Sequence, residues 1–430
     1  MKSQAKSLTL ATTSTEHHRH WRPPYYVKGL ALGIPIYLTA VHLWTWILLA
    51  PPLIRRGEYD FRQSYAAAYM VRTRHALDLY DYSAQKEFQD KLVSPQETPL
   101  PFVAPAYEAL FMVPLSFFSF RTAYFLFLGV NLVALGLSFF LLVPWMRNLE
   151  HVYSWLPLAL FLGFLPIGAA LIQGQDSILL TLILVASFRA LTTRHETLAG
   201  LLLGAGLFKF PLVLPLVLLF VIWRRWRVLM GFAISAAVVL VLCILLIGIH
   251  GLRGYVQLLL SLAGLTHTTN ALALREIVWS NMANIHGLLF GIAHGFLSAR
   301  ALEIAVLTTA ATVLVWTAFR GSRISSNSAC LLLLAIPCSV LVSHHAYIHD
   351  LSILILPTVV LLNQSLPHEG RQKTERLSAL VAAIMFASPV VVSYAPRYFC
   401  VVALAVLGML VVIPLGLQRR SEEVPGLTGL

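Results

Sequence analysis

The chain has 430 residues, of which 58% are hydrophobic and 12% charged, with a net charge of +12 and a mean hydropathy of +0.76. Soluble domains carry about twice that charged fraction, so an ordinary soluble fold is excluded and a polytopic membrane protein is expected. The basic residues fall in short clusters between apolar runs, where they orient membrane helices, and this argues against a nucleic-acid partner.

Apolar runs close to the ~20 residues of a helical span recur along the chain, and the period-two alternation of an outer-membrane barrel is absent, so the expected fold class is all-α. The polar N-terminus ends in His17, His18, Arg19, His20, Trp21 and Arg22. It lacks the short apolar core and cleavage site of a signal peptide. The three histidines are a solvated basic flank or, less in keeping with their setting, a metal site. Residues 1–28 are read as a cytoplasmic tail and the run from Gly29 to Leu53 as an uncleaved first span. Arg19, Arg22 and Lys28 then hold the N-terminus inside and place the segment after the span outside.

That segment is a polar loop over about 55–101. Asp60 stands close to where the first span surfaces, a costly place for a carboxylate without a partner or a task. Phe61, Tyr65, Ala68 and Tyr69 fall on one side of a short helix and Arg62, Arg72 and Arg74 among the polar positions, which predicts a helix lying along the bilayer surface. The Phe102–Leu115 run is apolar, short and broken by prolines, as in a re-entrant element or a hinged span.

Further spans are expected at Thr122–Val143, Val152–Ile172, Ile178–Leu191, Val228–Ile249, Ala301–Phe319, Ala329–Val342, Leu351–Leu362, Leu377–Ser393 and Tyr398–Leu417. Between Leu198 and Trp223 the run is interrupted at Lys209. Two short helices hinged there return the basic turn Arg224–Arg227 to the cytoplasmic side. An external segment runs from His250 to about His286. The total is about twelve helices with both ends cytoplasmic, a membrane domain over 29–417 and a C-terminal tail over 418–430. With this parity Asp60, Gln175, Lys209 and the His349–Asp350 pair come out near one external face. The four cysteines lie in or beside apolar spans without C-x-x-C spacing and read as small core residues.

The residue types at that face bound the chemistry. Asp60 is either a general base that takes a proton from a hydroxyl or a helix-capping acid. Lys209 interrupts an apolar run, so it either meets a phosphate or snorkels to the interface. Gln173, Gln175 and Asp176 in a glycine turn can hydrogen-bond sugar hydroxyls, although Asp176 alone is better read as a cap. His345 and His349, four apart, could share a helix face beside Asp350, as a proton relay, a metal site or an interfacial cluster. Asn281, Asn284 and His286 belong to the external segment. No phosphate-binding loop, dinucleotide fingerprint or serine elbow is present.

Several of these features together resemble glycosyltransferase family 87, the polyprenol-phosphate-mannose-dependent mannosyltransferases of the GT-C superfamily. They are Asp60-Phe61 with Tyr65, Ala67 and Ala68; Leu79-Tyr80-Asp81; the proline-rich Phe102–Leu115 run; Gly174-Gln175; Ala199-Gly200 followed by Lys209; the Arg224-Arg225-Trp226 turn; and His349-Asp350-Leu351. The resemblance covers roughly residues 30–415. It implies a multi-pass enzyme of the bacterial inner membrane with its active site facing the periplasm or exterior. Such an enzyme moves a hexose, usually mannose, from a polyprenyl-phosphate donor to a hydroxyl of a glycan or glycolipid acceptor, with inversion. By that analogy Asp60 is the base and His349 a second catalytic group. Lys209 with Arg62 or Arg74 holds the donor phosphate, and Tyr65, Gln175, Asp176, His345 and Asp350 contact sugar or acceptor. A monophosphate donor implies no obligatory metal and no cofactor. The chain departs from the family's look at Phe102-Val103-Ala104-Pro105-Ala106-Tyr107, where a tyrosine followed by paired prolines is usual. The readings from other classes are a lipid-carrier transporter or flippase, whose internal repeats are not evident here, and a non-catalytic glycolipid-binding membrane protein.

Overall fold

The computed structural model describes residues 25–57, 59–96, 100–262, 279–324, 327–366, 373–393 and 396–423. The histidine-rich N-terminus and the centre of the 250–286 segment lie outside them. Every regular element among the described residues is helical. In chain order these are α1 (Tyr25–Arg56), α2 (Phe61–Arg72), α3 (Tyr82–Leu92), α4 (Ala106–Met112), α5 (Phe120–Leu142), α6 (Arg147–Val152), α7 (Leu156–Gly163), α8 (Leu165–Gln173) and α9 (Ser177–Thr192). There follow α10 (Glu196–Ala205), α11 (Phe210–Ile222), α12 (Trp226–Leu262), α13 (Ile285–Ala293), α14 (Ala299–Ile324), α15 (Ser328–Val342), α16 (Ile355–Ser365), α17 (Lys373–Ser393) and α18 (Val402–Glu423).

By length and composition, six helices among the described residues are apolar enough to cross a membrane, or up to seven if the α7–α8 pair, bent by 53°, is one span. The expectation of about twelve is not reached on that measure, because the apolar stretches Leu32–Val41 and Ala106–Phe117 and the helices α9 and α15 are each shorter than a span. Inner and outer helices differ in where their apolar side chains go. Within Trp226–Leu260 only 11% of the apolar window is buried in the protein, against 78% for Ile348–Ser365. The first faces lipid and the second forms the core with α15, whose Leu331–Leu334 and Ile336 are buried.

The break at Lys209 is present as a 3-10 turn over Gly206–Lys209 between α10 and α11. A straight helix over these 27 residues would be about 40 Å long. Instead the start of α12 lies against the start of α10, so closely that a Cβ on Gly231 would stand 2.0 Å from the Thr197 carbonyl and one on Gly200 1.9 Å from that of Val228. At the same end Trp223 donates to the Ala318 carbonyl (2.9 Å) and Ser328 to Glu196 (2.5 Å). The chain therefore folds back at Lys209. Arg189 over Trp145 belongs to this end too, so Arg189, Arg194, the Arg224–Arg227 turn, Arg320 and Arg323 gather opposite the turn that carries Lys209.

Three expectations change. α2 does not lie on a surface with one face buried: Phe61, Arg62, Tyr65, Ala66, Ala67, Ala68 and Met70 are all buried, because α3, α4 and the 3-10 turn Val113–Phe117 pack around it. The segment beyond His250 begins as helix. α12 kinks at Gly248 (φ +65°) and continues to Leu262, and on this extension the Tyr255 ring stacks on Tyr80 at 4.7 Å. Finally, the polar stretch before Pro101 is largely α3, started by Asp81, whose side chain accepts from the Ala84 amide (2.8 Å).

Candidate active site

A cavity of about 920 Å³ opens between the α2–α4 layer and the helix bundle. Its outer wall is the extended segment Leu100–Ala104, which has no strand partner and is held by side chains instead. Gln89 donates to the Leu100 carbonyl (2.7 Å) and accepts from its amide (3.1 Å). Gln85, one turn earlier on α3, accepts from the Phe102 amide at 2.8 Å. Tyr255 and Tyr80 donate to the carbonyls of Val103 (3.2 Å) and Ala104 (2.9 Å). Backbone groups buried without a ladder need such partners, and this wall has them from α3, α12 and the loop before α3.

The inner wall starts at the turn after α8. Gly174 takes φ +61° and sits where a Cβ would come within 2.8 Å of Phe61, so no side-chain-bearing residue fits there without strain. The turn carries Gln173, Gln175 and Asp176 into the cavity. Asp60 is at the N-cap position of α2 but makes no capping bond. Its Oδ2 accepts from Gln175 Nε2 at 2.7 Å, and the other end of that amide accepts from Lys209 Nζ at 2.9 Å. Lys209 also pairs with Asp176 (3.1 Å) and Asp350 (3.2 Å). Asp176 likewise makes no capping bond, so its reading as a cap gives way to the ion pair. Asp350 accepts from Ser177 Oγ (3.1 Å) and the Tyr347 amide (3.1 Å). His349 stands 3.5 Å from Asp350 and bonds Gln173 through Nδ1 at 2.6 Å. One chain of contacts thus runs Asp60, Gln175, Lys209, Asp350, His349, Gln173.

Of the ten residues singled out from the sequence, seven line this cavity: Asp60, Gln175, Asp176, Lys209, His345, His349 and Asp350. His345 and His349 do so from a loop and a 3-10 turn, not from one helix face, because the 3-10 turn begins only at Ile348 and regular α-helix only at Ile355. Three do not. Arg62 is fully buried beneath α2, donating to Gln89 (3.0 Å), Ser94 (3.1 Å) and Asp90 (3.1 Å). It locks α2 to α3 and, through Gln89, steadies the outer wall, and it does not line the cavity where Lys209 stands. Asp90 shows the strength of that lock: burial alone would raise its pKa, but Lys86, the Gln96 amide and Arg62 hold the carboxyl below the ordinary range. Arg74 ends the α2 segment at φ +67°, exposed and away from the cavity. Tyr65 donates to the Phe118 carbonyl (2.7 Å) within an aromatic cluster with Phe61 and Phe120.

Sequence reasoning missed Glu108, a buried acid on the cavity wall. The signal was there: a lone carboxylate in an apolar run carries the same cost that drew attention to Lys209. It also passed over His344, which is on the wall together with Asn281, a residue of the external segment expected to meet substrate. His344 and His345 stack at 5.0 Å, and His286 stacks on Trp279 at 3.8 Å. Burial, and then the neighbouring His344 and His345, push the His286 ring down to about 4. Among the described residues the lining holds four carboxylic acids, Asp60, Glu108, Asp176 and Asp350, and one ammonium, Lys209. Such a wall offers many acceptors to hydroxyl groups and one cation to a phosphate.

The family model of glycosyltransferase family 87 matches residues 102–343, more than half of the chain. Neither the curated proteins nor the solved structures contain a match. The chain belongs to glycosyltransferase family 87 and is a membrane glycosyltransferase. The matched segment includes Glu108, the Gln173–Asp176 turn and Lys209. Asp60 and the His345–Asp350 group fall outside it.

Proposed function

We propose that this member of glycosyltransferase family 87 transfers a hexose, mannose in the first instance, from polyprenyl phosphate to a hydroxyl of a glycan or glycolipid. The single observation that carries the reading is the Asp60–Gln175–Lys209 relay on the cavity wall. It sets a carboxylate and an ammonium on the two ends of one amide, the two charges that a transfer from a phosphate ester calls for. Gln175 engages Oδ2 of Asp60, which leaves Oδ1 for an incoming hydroxyl. That hydroxyl gives its proton to Asp60 as its oxygen attacks the anomeric carbon, on the face opposite the phosphate. The carbon–oxygen bond to phosphate breaks, and polyprenyl phosphate leaves with the electron pair. The sugar is bound with inverted configuration.

The leaving phosphate gathers charge, and stabilising it is the demand the site has to meet. Lys209 is the one ammonium on the wall among the described residues. Within the protein Asp176 and Asp350 share its charge, so the phosphate displaces Asp176 from it, and His345 and His349 add donors. Gln175, Asp176, His345 and Asp350 then contact sugar or acceptor. No metal ion enters the scheme.

Arg189, Arg194, the Arg224–Arg227 turn, Arg320 and Arg323 gather at the end of the bundle away from the cavity. With the positive-inside tendency this supports a cavity facing the non-cytoplasmic side of the bacterial inner membrane, tails at 1–28 and 418–430 inside, and a membrane domain over 29–417. The test uses the purified protein in detergent with polyprenyl-phosphate-mannose and a glycolipid extract. Transfer is expected, and Asp60→Asn is expected to lower it by a factor of ~10³ or more with the fold retained. Equal transfer by both proteins would remove Asp60 from the role of base, and no transfer with any lipid-phosphate sugar would end the donor assignment.

A further inference from the structure

Glu108 has no part in that scheme, yet its setting is hard to explain by packing. It lies on α4, 6% exposed, with Oε1 accepting from Ser64 Oγ at 3.2 Å. Among the described residues no other hydrogen-bond donor reaches the carboxyl. The ammonium of the site, Lys209, is already divided between two other acids. A buried carboxyl with one hydroxyl for company is costly, and an apolar residue of similar size would fill the same space without that cost. The carboxyl's remaining hydrogen-bonding capacity is left to what enters the cavity.

The position of Glu108 says which part of the ligand that is. Ser64 comes four residues after Asp60, about one turn or ~5.4 Å along α2, and Glu108 lines the cavity from beside it. That separation is comparable with the distance between hydroxyls across one pyranose ring. Lys209, which takes the phosphate in the transfer scheme, makes its ion pairs with Asp176 and Asp350 and meets Asp60 through Gln175. Glu108 makes no ion pair with Lys209, although the two charges act on each other across the cavity, and its one hydrogen bond is to Ser64 on α2. A ligand that presents one hydroxyl to Asp60 therefore brings another to Glu108, and that ligand is the acceptor.

We propose that Glu108, held by Ser64, binds a second hydroxyl of the carbohydrate acceptor while Asp60 receives the reacting one, and so selects which hydroxyl is glycosylated. The assignment rests on the transferase reading with Asp60 as base. A carboxyl that accepts from a sugar hydroxyl discriminates strongly against an analogue lacking it, because the buried group is then left unpaired.

The experiment measures acceptor and donor KM separately for wild type, Glu108→Gln, Glu108→Ala and Ser64→Ala. The donor is polyprenyl-phosphate-mannose, and the acceptors are octyl α-mannopyranoside and its monodeoxy analogues. Glu108→Ala is expected to raise acceptor KM by about tenfold or more and to leave donor KM within about twofold. Glu108→Gln, which keeps a hydrogen-bonding amide, falls between it and wild type. One monodeoxy acceptor should be penalised by about tenfold in wild type and not penalised in Glu108→Ala. Equal penalties in both proteins, an unchanged acceptor KM, or a rise confined to donor KM would each overturn the assignment. Should Glu108→Ala lose its fold, the same deoxy comparison on Glu108→Gln decides. A wild-type protein that transfers to no acceptor sinks the polyprenyl-phosphate-mannose donor reading, and Asp60→Asn with wild-type activity sinks only the base on which the register depends.

Discussion

Two cations, Arg62 under α2 and Lys209 at the fold of α10 and α11, are given the same role by the resemblance, as ligands of the donor phosphate. Their surroundings set them apart. Arg62 is fully buried and its donors are taken up by Gln89, Asp90 and Ser94. All of those partners belong to one polar layer, and none of the guanidinium faces the cavity. Lys209 keeps 18% of its side chain exposed and its partners, Gln175, Asp176 and Asp350, are themselves cavity-lining groups. The lesson is that a buried charge is available to a ligand when its partners are, and a guanidinium saturated by its own layer is part of the frame.

The sharpest way to break this comparison is to remove each cation in turn. Lys209→Met leaves two buried carboxylates without a counter-ion, which costs ~3–5 kcal/mol where a buried pair loses one partner. It is expected to lower transfer by a factor of about 100 or more, measured on folded protein recovered by size exclusion. Arg62→Met is expected to cost on the order of 3 kcal/mol as a lower apparent Tm in detergent, while donor KM stays at the wild-type value. A raised donor KM at unchanged Tm would return Arg62 to the phosphate site and undo the distinction.

Cutting the amide between the two charges is a smaller step. Gln175→Leu frees Asp60 from the 2.7 Å bond that orients it, and kcat is expected to fall about tenfold with little change in either KM. A change in donor KM alone would mean that Gln175 serves Lys209 and not Asp60.

The smallest effect concerns the outer rim. His286 titrates at about 4 in the folded protein against an ordinary 6.5, with burial the main cause. Between these values the unfolded chain binds a proton that the folded one does not, so stability falls as pH drops from about 6.5 toward 4 and is fully present above 6.5. The apparent Tm is expected to drop by a few degrees over that window, and His286→Phe should reduce the dependence without abolishing it, since burial holds His344 down to about 4 as well. An equally steep profile in the variant would place the titrating group elsewhere in the rim.

The helical class, the membrane setting, the break at Lys209 and the glycine turn at Gly174 were legible in the sequence. Each has a local cause: a run of apolar residues, a charge inside it, or a backbone angle that only glycine takes freely. The special standing of Asp60 and Lys209 was legible for the same reason, since the cost of a charge among apolar neighbours arises where it stands. The burial of Arg62 and Tyr65 was not legible, because residue type and spacing do not say which side of a helix is covered by another layer, whereas Glu108 carried a legible signal that was passed over.

What only the tertiary structure decided was the pairing. Gln175 reaches Asp60 across 115 residues of chain and His349 reaches Gln173 across 176. No periodicity within a helix encodes such meetings. They follow from how the bent α7–α8 pair and the folded α10–α11 pair pack, and the close approach of Gly200 and Gly231 that sets part of that packing is itself a property of two helices together. The sequence by itself determined which groups could not be left alone, and the fold determined who their company is.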